Sequence, residues 1–530
     1  MDQDEPQVLA DYKISTPITA AWGLRQGLTS YGDAHFSLFL RKVFVEALGY
    51  SEDALSRPII GIINTYSGFN PCHGNVPQLI EAAKRGIQFN GGLAVEFPTI
   101  SVHESFSHLT SMFLRNLMSM DTEEMIRAQP LEACVMIGGC DKTVPAQLMG
   151  GISANKPILP LITGPMMPGS HRGQRIEIDI EEISAINEEL APTIGTCGVM
   201  GTASTMACIT AALGMMPLRG ASAPAVSSVR ARVAEETGAN AVRAARSKWK
   251  PQDILSKESF LNAITVLQAI GGSTNAVVHL MVIANRHPKV QGVITLQTVE
   301  EVGRKTPLLV DLKPSGDNYM TDFHNAGVML ALLRTLRPFL HLSAMTITGQ
   351  TLGDLLGTSP FQDFSLSRQI IRPLSDPLYP SSSLIVLQGN IALNGAVMKA
   401  SASKDRRLLK HTGPAVKIGP IGNPGIPEAG LLAIPRKLAA AGVKDMLRIS
   451  DGRMSGTAGG TIILHVSPES AVPESPFGIV QTGDLITCDA EARNLHLGIS
   501  EEELKARIGT RKAAVAAEGK PRQRGVSGVV

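Results

Sequence analysis

Three glycine-rich turns, each leading from an apolar run into a helix-like run, constrain this chain more than any other feature. They are Gly68-Phe-Asn-Pro-Cys-His-Gly-Asn75, Gly138-Gly-Cys-Asp-Lys-Thr143 and Gly195-Thr-Cys-Gly198. The run Ala133-Cys-Val-Met-Ile137 reads as a buried strand, and Gly138-Gly139 then turn it into a helix from about Pro145. Strand, turn and helix recur in this order, which predicts parallel sheets wound with helices. In such folds ligands gather at the carboxyl ends of strands, and Cys140, Asp141 and Lys142 fall at one such end.

Each of these turns carries a cysteine, Cys72, Cys140 or Cys197. A thiol beside backbone N–H groups and the positive end of a helix is biased toward thiolate. Thiolates are the ligands that soft metals and iron–sulfur clusters require. The other three cysteines, Cys134, Cys208 and Cys488, lie in apolar strands or on an apolar helix face and read as small core residues. Six cysteines in 530 residues are too few for a disulfide scaffold. The absence of a Cys-x-x-Cys pair disfavours a zinc or thiol-redox protein.

Along the chain, Asn75–Ile87 reads as a helix capped by Asn75, with Pro77 in its first turn. Leu93–Val102 reads as a strand with Glu96 in its middle. A carboxylate in an apolar strand needs a partner or a cation, and a core ion pair accounts for it as well as a metal does. Helices are expected at Ser111–Arg127 and Gly201–Leu213, and Ser273 or Thr274 caps a further helix after Gly271-Gly272. From about residue 366 the texture becomes β-rich, with strands at Leu384–Gln388, Gly395–Ala400, Ala415–Ile418 and Met446–Ile449. A helix is expected at Glu428–Ala441, a glycine-rich loop at Asp451–Gly460 and a loose basic tail at Gly519–Arg524. The division follows: residues 1–365 form an α/β domain with a parallel sheet, and 366–530 a β-rich domain.

Lys+Arg 49 against Asp+Glu 47 gives a net charge of +2, which removes the electrostatic case for a nucleic-acid partner. The acidic opening MDQDEPQVLADYK lacks the features of a secretory or transit peptide, and no apolar run is long enough for a membrane span. A cytoplasmic protein is the expectation.

Six segments in order resemble the dihydroxy-acid/sugar-acid dehydratase family (IlvD/Edd). They are Asn70-Pro-Cys-His73, Gly139-Cys-Asp-Lys-Thr143, Gly195-Thr-Cys-Gly-Val-Met-Gly-Thr-Ala-Ser-Thr205, Gly271-Gly-Ser-Thr-Asn275, Gly425-Ile-Pro-Glu428 and Asp451-Gly-Arg-Met-Ser-Gly-Thr457. The Ser-Gly-Thr-Ala form of the last segment is closer to the aldonate branch. The resemblance implies a second domain of swivelling, β-barrel-like form, and a [2Fe-2S] cluster on Cys72, Cys140 and Cys197. It implies Mg²⁺ held by Glu96, Asp141 and Glu428, with Lys142 carried as a carbamate, and Ser455 as the base. The activity implied is removal of water from a 2,3-dihydroxy carboxylic acid, a polyhydroxy acid, to give a 2-keto-3-deoxy acid, by a homodimer or homotetramer. The alternatives are a dihydroxy-acid dehydratase of branched-chain amino acid biosynthesis and a catalytically impaired homologue.

That last alternative comes from departures. The chain passes directly from His171–Arg175 to an acidic helix where relatives carry an insertion. Ala415–Ile418 runs straight into Gly419–Gly425 where relatives place a further strand–helix–strand, and the chain stops soon after Arg524. Leu393-Asn394-Gly395 replaces the family's usual Pro-Asp-Gly or Pro-Lys-Gly.

Overall fold

The computed structural model describes residues 22–26, 33–107, 110–171, 174–175, 189–359, 365–417, 428–429, 432–457 and 459–518. The expected tail at Gly519–Arg524 and the acidic helix after Arg175 lie outside them, the latter but for its last residues.

Four strands, β1 (Ile59–Asn64), β2 (Leu93–Pro98), β3 (Ala133–Gly138) and β4 (Ile158–Ile162), form a parallel sheet in the order β2-β1-β3-β4. β3 and β4 are buried along their whole length, as continuous apolar runs in a parallel sheet covered by helices should be. Helices Val76–Phe89, Ser111–Ala128 and Thr143–Ala154 make the three crossovers. The first begins as expected at Pro77's turn, but Asn75 does not cap it. Its amide instead donates to Thr163 O at 2.8 Å and Ala225 O at 3.0 Å, tying the turn to the end of β4. Helix Thr202–Ala212 is buried at every residue, which its small side chains permit. After Gly272, Ser273 Oγ accepts from Asn275 N at 3.2 Å, in keeping with the expected cap. A two-residue hairpin, β5 (Ser170–His171) with β6 (Gln174–Arg175), follows β4.

The β-rich region differs in pairing. β7 (Ile385–Gly389), β8 (Ala392–Met398), β9 (Lys410–Pro414), β11 (Arg448–Ile449), β13 (Ile462–Ser467), β14 (Leu485–Asp489) and β15 (Asn494–Leu497) form one mixed sheet. Their order is β11-β13-β8-β7-β15-β14-β9, with β11 and β9 at its edges. Barrel-like closure is therefore not made by backbone pairing among the described residues. The expected strand at Ala415–Ile418 is displaced to Lys410–Pro414, where it pairs with β14. β10 (Glu428–Ala429) pairs in parallel with β12 (Arg453–Met454). Glu428 thus stands on a short strand rather than opening a helix, and helix Arg436–Ala440 starts only after Pro435.

Two large apolar cores are distinct among the described residues. One gathers β1–β4 and the helices around them, and it still includes Ile370, Ile371 and Leu384. The other gathers Ile385, Leu387, Ala396, Met398, Ile463, Cys488 and Leu495 from the mixed sheet. Cys134, Cys208 and Cys488 are all buried in these cores, as expected. Among the described residues no helix is long and apolar enough to cross a membrane.

Candidate active site

The loops beyond the carboxyl ends of β1, β2 and β3 meet at one place, as the parallel sheet predicts. Cys72 sits in the single turn Pro71–His73 after β1, and Cys140 follows β3 directly. Gly139 between them is required by space: a Cβ there would stand 1.7 Å from Thr163 Oγ1. His73 joins the two turns. It is fully buried, and desolvation lowers it to about 4, so its ring is neutral at ordinary pH. Its Nδ1 bonds Thr65 O at 2.9 Å, leaving Nε2 to accept from the N–H groups of Gly139 (3.1 Å) and Cys140 (3.2 Å).

Cys72, Cys140 and His103 bring their ligand atoms within 4.8 Å of one another. Hydrogen bonding to Cys140, then burial, then the charges of Cys140, Cys197 and Asp141 push the Cys72 thiol well up. Cys197 is exposed as a residue, yet its thiol is crowded: desolvation, then Asp141 and Cys140, push it up to about 11. Buried thiols whose proton affinity is raised by neighbouring negative charge are the arrangement a cation relieves, because it accepts the thiolates directly. Cys72 and Cys140 lie close enough to share a soft metal or an iron–sulfur group, with Cys197 the nearby third thiol.

Beside the thiols, three carboxylates converge on two buried cations. Lys142 Nζ lies 2.7 Å from Asp141 Oδ2, 3.7 Å from Glu104 Oε2 and 3.7 Å from Glu428 Oε1. Arg453 pairs with Asp141 at 3.0 Å, with Glu428 at 3.1 Å, and with Glu104. Glu428 also accepts from Ser111 N at 2.8 Å and Thr110 Oγ1 at 2.9 Å, so its charge sits at the positive end of helix Ser111–Ala128. Burial would raise Asp141 and Glu428, but Lys142 and Arg453 outweigh it and hold both below the usual carboxylate range. Glu104 goes the other way: desolvation, then Asp141, raise it to about 7.

The donor set suits a hard cation. Three carboxylates already surround the Lys142 ammonium, and a carbamate on that nitrogen would replace the positive charge with a fourth oxygen ligand. Glu96 is not part of this set. β2 is an edge strand, Glu96 is exposed there, and it pairs with Lys84 at 2.9 Å. The carboxylate that reaches the set from this part of the chain is Glu104, in the loop beyond β2. Sequence reasoning missed Glu104, Arg453 and His73. The signal for Glu104 was topological, since a loop beyond β2 must open at the same sheet edge as Cys140.

Ser455 follows β12 two residues after Arg453, and its Oγ lies 2.9 Å from Thr457 Oγ1. Gly456 packs against the first region, since a Cβ there would meet Ser273 Oγ at 2.6 Å and Thr202 Oγ1 at 2.9 Å. Asn275 Nδ2 donates to Met454 O at 2.9 Å, fixing the strand that delivers Ser455. Of the eight expected site residues, Cys72, Cys140, Asp141, Lys142 and Glu428 are thus brought together, and Cys197 stands near enough for its charge to act on Cys72. Ser455 is held next to Arg453, and Glu96 lies apart.

Comparison with known proteins places the chain in a family. The family described as dihydroxy-acid/6-phosphogluconate dehydratase matches by its N-terminal model over residues 57–355 and by its C-terminal model over 369–418 and 416–529. An L-arabonate dehydratase of Azospirillum brasilense is 40% identical, over 85% of this chain and 84% of its own. A 6-deoxy-6-sulfo-D-gluconate dehydratase of Pseudomonas putida is 37% identical, over 86% and 85%. A dihydroxy-acid dehydratase of Pyrococcus abyssi is 34% identical, over 88% and 91%.

Proposed function

The chain belongs to the dihydroxy-acid/6-phosphogluconate dehydratase family, and we propose that it is a hydro-lyase that converts a 2,3-dihydroxy carboxylic acid to a 2-keto-3-deoxy acid. The observation that carries this reading is the convergence of Asp141, Glu104 and Glu428 on Lys142, beside three cysteine thiols. A sugar acid is favoured as substrate, because identity to the L-arabonate and sulfogluconate enzymes exceeds that to the dihydroxy-acid dehydratase of Pyrococcus abyssi.

In this reading Cys72, Cys140 and Cys197 hold a [2Fe-2S] cluster, and Asp141, Glu104, Glu428 and carbamylated Lys142 hold Mg²⁺. Held by these residues, the two groups would supply Lewis acidity to a dihydroxy-acid substrate. The remaining chemistry belongs to the chain. Arg453 holds Asp141 and Glu428 charged and keeps all three carboxylates aimed at one point, so no reorganisation is needed during reaction. His73 locks the cysteine turns to each other. Ser455 Oγ takes the C2 proton, with Thr457 orienting it, and the enol left after hydroxide departs tautomerises to the keto acid. Burial of Lys142 and Arg453 excludes water from the charged side of the site.

The catalytically impaired homologue stays in view for one reason. The C-terminal family model matches in two pieces that meet at 416–418, where the sequence lacks a strand–helix–strand. The proposal extends to a cytoplasmic homodimer or homotetramer, divided near residue 365. Anaerobic purification followed by keto-acid assay on a panel of aldonates and dihydroxyisovalerate tests the function. About two irons per chain and keto acid from at least one aldonate are expected. Zinc without iron would overturn the dehydratase reading, and a cluster-loaded protein inert on the whole panel would favour the impaired homologue.

A further inference from the structure

Lys399 directly follows β8, is only 7% exposed, and its Nζ has no hydrogen-bond partner among the described residues. An unpaired buried ammonium costs several kcal/mol, so a fold that keeps one has a use for it or holds it neutral. Its surroundings say what it faces. Lys399 lines a small cavity with Ser273, Thr274, Met454, Ser455 and Gly456. The cavity's volume, about 20 Å³, leaves room for one water. Ser455 needs such a neighbour. A serine hydroxyl is a poor base unless an adjacent group takes its proton, and the partner the structure gives its Oγ is another hydroxyl, Thr457.

We propose that Lys399 is a positioning residue for Ser455, taking up the serine's proton through the water-sized cavity the two share and so letting Oγ accept the C2 proton. This rests on the dehydratase reading above. Lysine serves as the proton acceptor for serine in other unrelated sites. The burial that strips Lys399 of partners also lowers it to about 7, so a neutral amine is present at ordinary pH. Among the described residues no other that lines the cavity is ionisable. Beyond the lining, Asp445 and Arg448 stand against Gly460 but pair with each other at 3.3 Å, and Lys404 stands against Gly459. Arg453 is turned away to Asp141 and Glu428, and His465 on β13 is held neutral by burial and by Arg453.

The protons balance. The Ser455 hydroxyl proton passes to the Lys399 amine, and Oγ then takes the proton from C2. The C2–H pair becomes the C2=C3 bond, and the C3–O pair leaves with hydroxide. The proton held on Lys399 returns through Ser455 to that hydroxide, giving water and restoring both side chains.

The test uses the anaerobically purified holoprotein. In Lys399→Met we expect kcat to fall about 100-fold or more with KM nearly unchanged, and the acid limb of the kcat/KM profile to vanish. Iron content should stay at the wild-type level. Lys399→Arg, which keeps charge but cannot accept a proton at these pH values, should be no better. A Lys399→Met protein with wild-type kcat and acid limb would overturn the proposal. If the wild-type protein forms no keto acid at all, the dehydratase reading fails instead. A second measurement then still decides: in ¹³C-lysine-labelled holoprotein the Lys399 titration should shift in Ser455→Ala, and an unchanged titration would overturn the pairing.

Discussion

The loops at the ends of β1–β3 and the segment carrying Glu428, Arg453 and Ser455 supply one site by different physical means. The first set grows out of a parallel sheet whose strands β3 and β4 are wholly buried, and its turns are tied where the backbone N–H groups of Gly139 and Cys140 donate to the His73 ring. The second arrives on two-residue strands, β10 and β12, and is fastened to the first mainly by charge: Arg453 to Asp141 and Glu104, Glu428 to Lys142 and Ser111. A framework built from backbone geometry survives the loss of one side chain. One fastened by a few buried ions does not, because each loss strands a partner charge.

Cys140→Ser should have the largest effect. It leaves the framework standing but is expected to remove most of the iron and lower keto-acid formation on the order of 10³-fold, read by iron assay and visible absorbance. Arg453→Met attacks the other region. With three carboxylates left facing Lys142, the folded state should lose about 3 kcal/mol in urea denaturation, and Arg453→Lys should recover little because one ammonium cannot span all three. His73→Ala leaves two buried N–H groups unpaired and should cost about 2 kcal/mol, with His73→Gln recovering part. If His73→Ala proves more damaging to stability than Arg453→Met, the contrast between the regions is wrong.

A pH dependence sharpens the same contrast. His73 and His465 are both lowered from 6.5 to about 4 by burial, so between those values the unfolded chain binds more protons than the folded one. Their contribution is present in full above 6.5 and lost as pH falls through about 4. Replacing His465 with Gln should remove about 1 kcal/mol per pH unit from the slope of stability between pH 4.5 and 6, measured by urea midpoints.

The cysteine turns were legible because they are local: a glycine pair, a thiol and a helix start all lie within a few residues of each other. The division of the six cysteines into site and core residues followed from the same neighbourhoods. Glu96 and Glu104 were not separable that way. An apolar strand with a central carboxylate looks costly, but β2 is an edge strand, and edge status is set by the order β2-β1-β3-β4, which is a long-range property. Arg453 was hidden for a similar reason, since its role depends on pairing with a strand 25 positions earlier, Glu428 beside Arg453. Asn75 looked like a helix cap because the pattern is common, whereas its amide spans to Thr163 and Ala225, which no window of sequence reveals.

Glu104, rather than Glu96, completes the carboxylate set shared by the two regions. The most direct measurement is the Mg²⁺ concentration for half-maximal dehydration by cluster-loaded protein carrying Glu104→Gln or Glu96→Gln. Glu104→Gln is expected to raise it about tenfold or more, or to abolish activity, while Glu96→Gln leaves it at the wild-type value. A Glu96→Gln protein with weakened Mg²⁺ affinity beside an unaffected Glu104→Gln protein would instead give that role to Glu96.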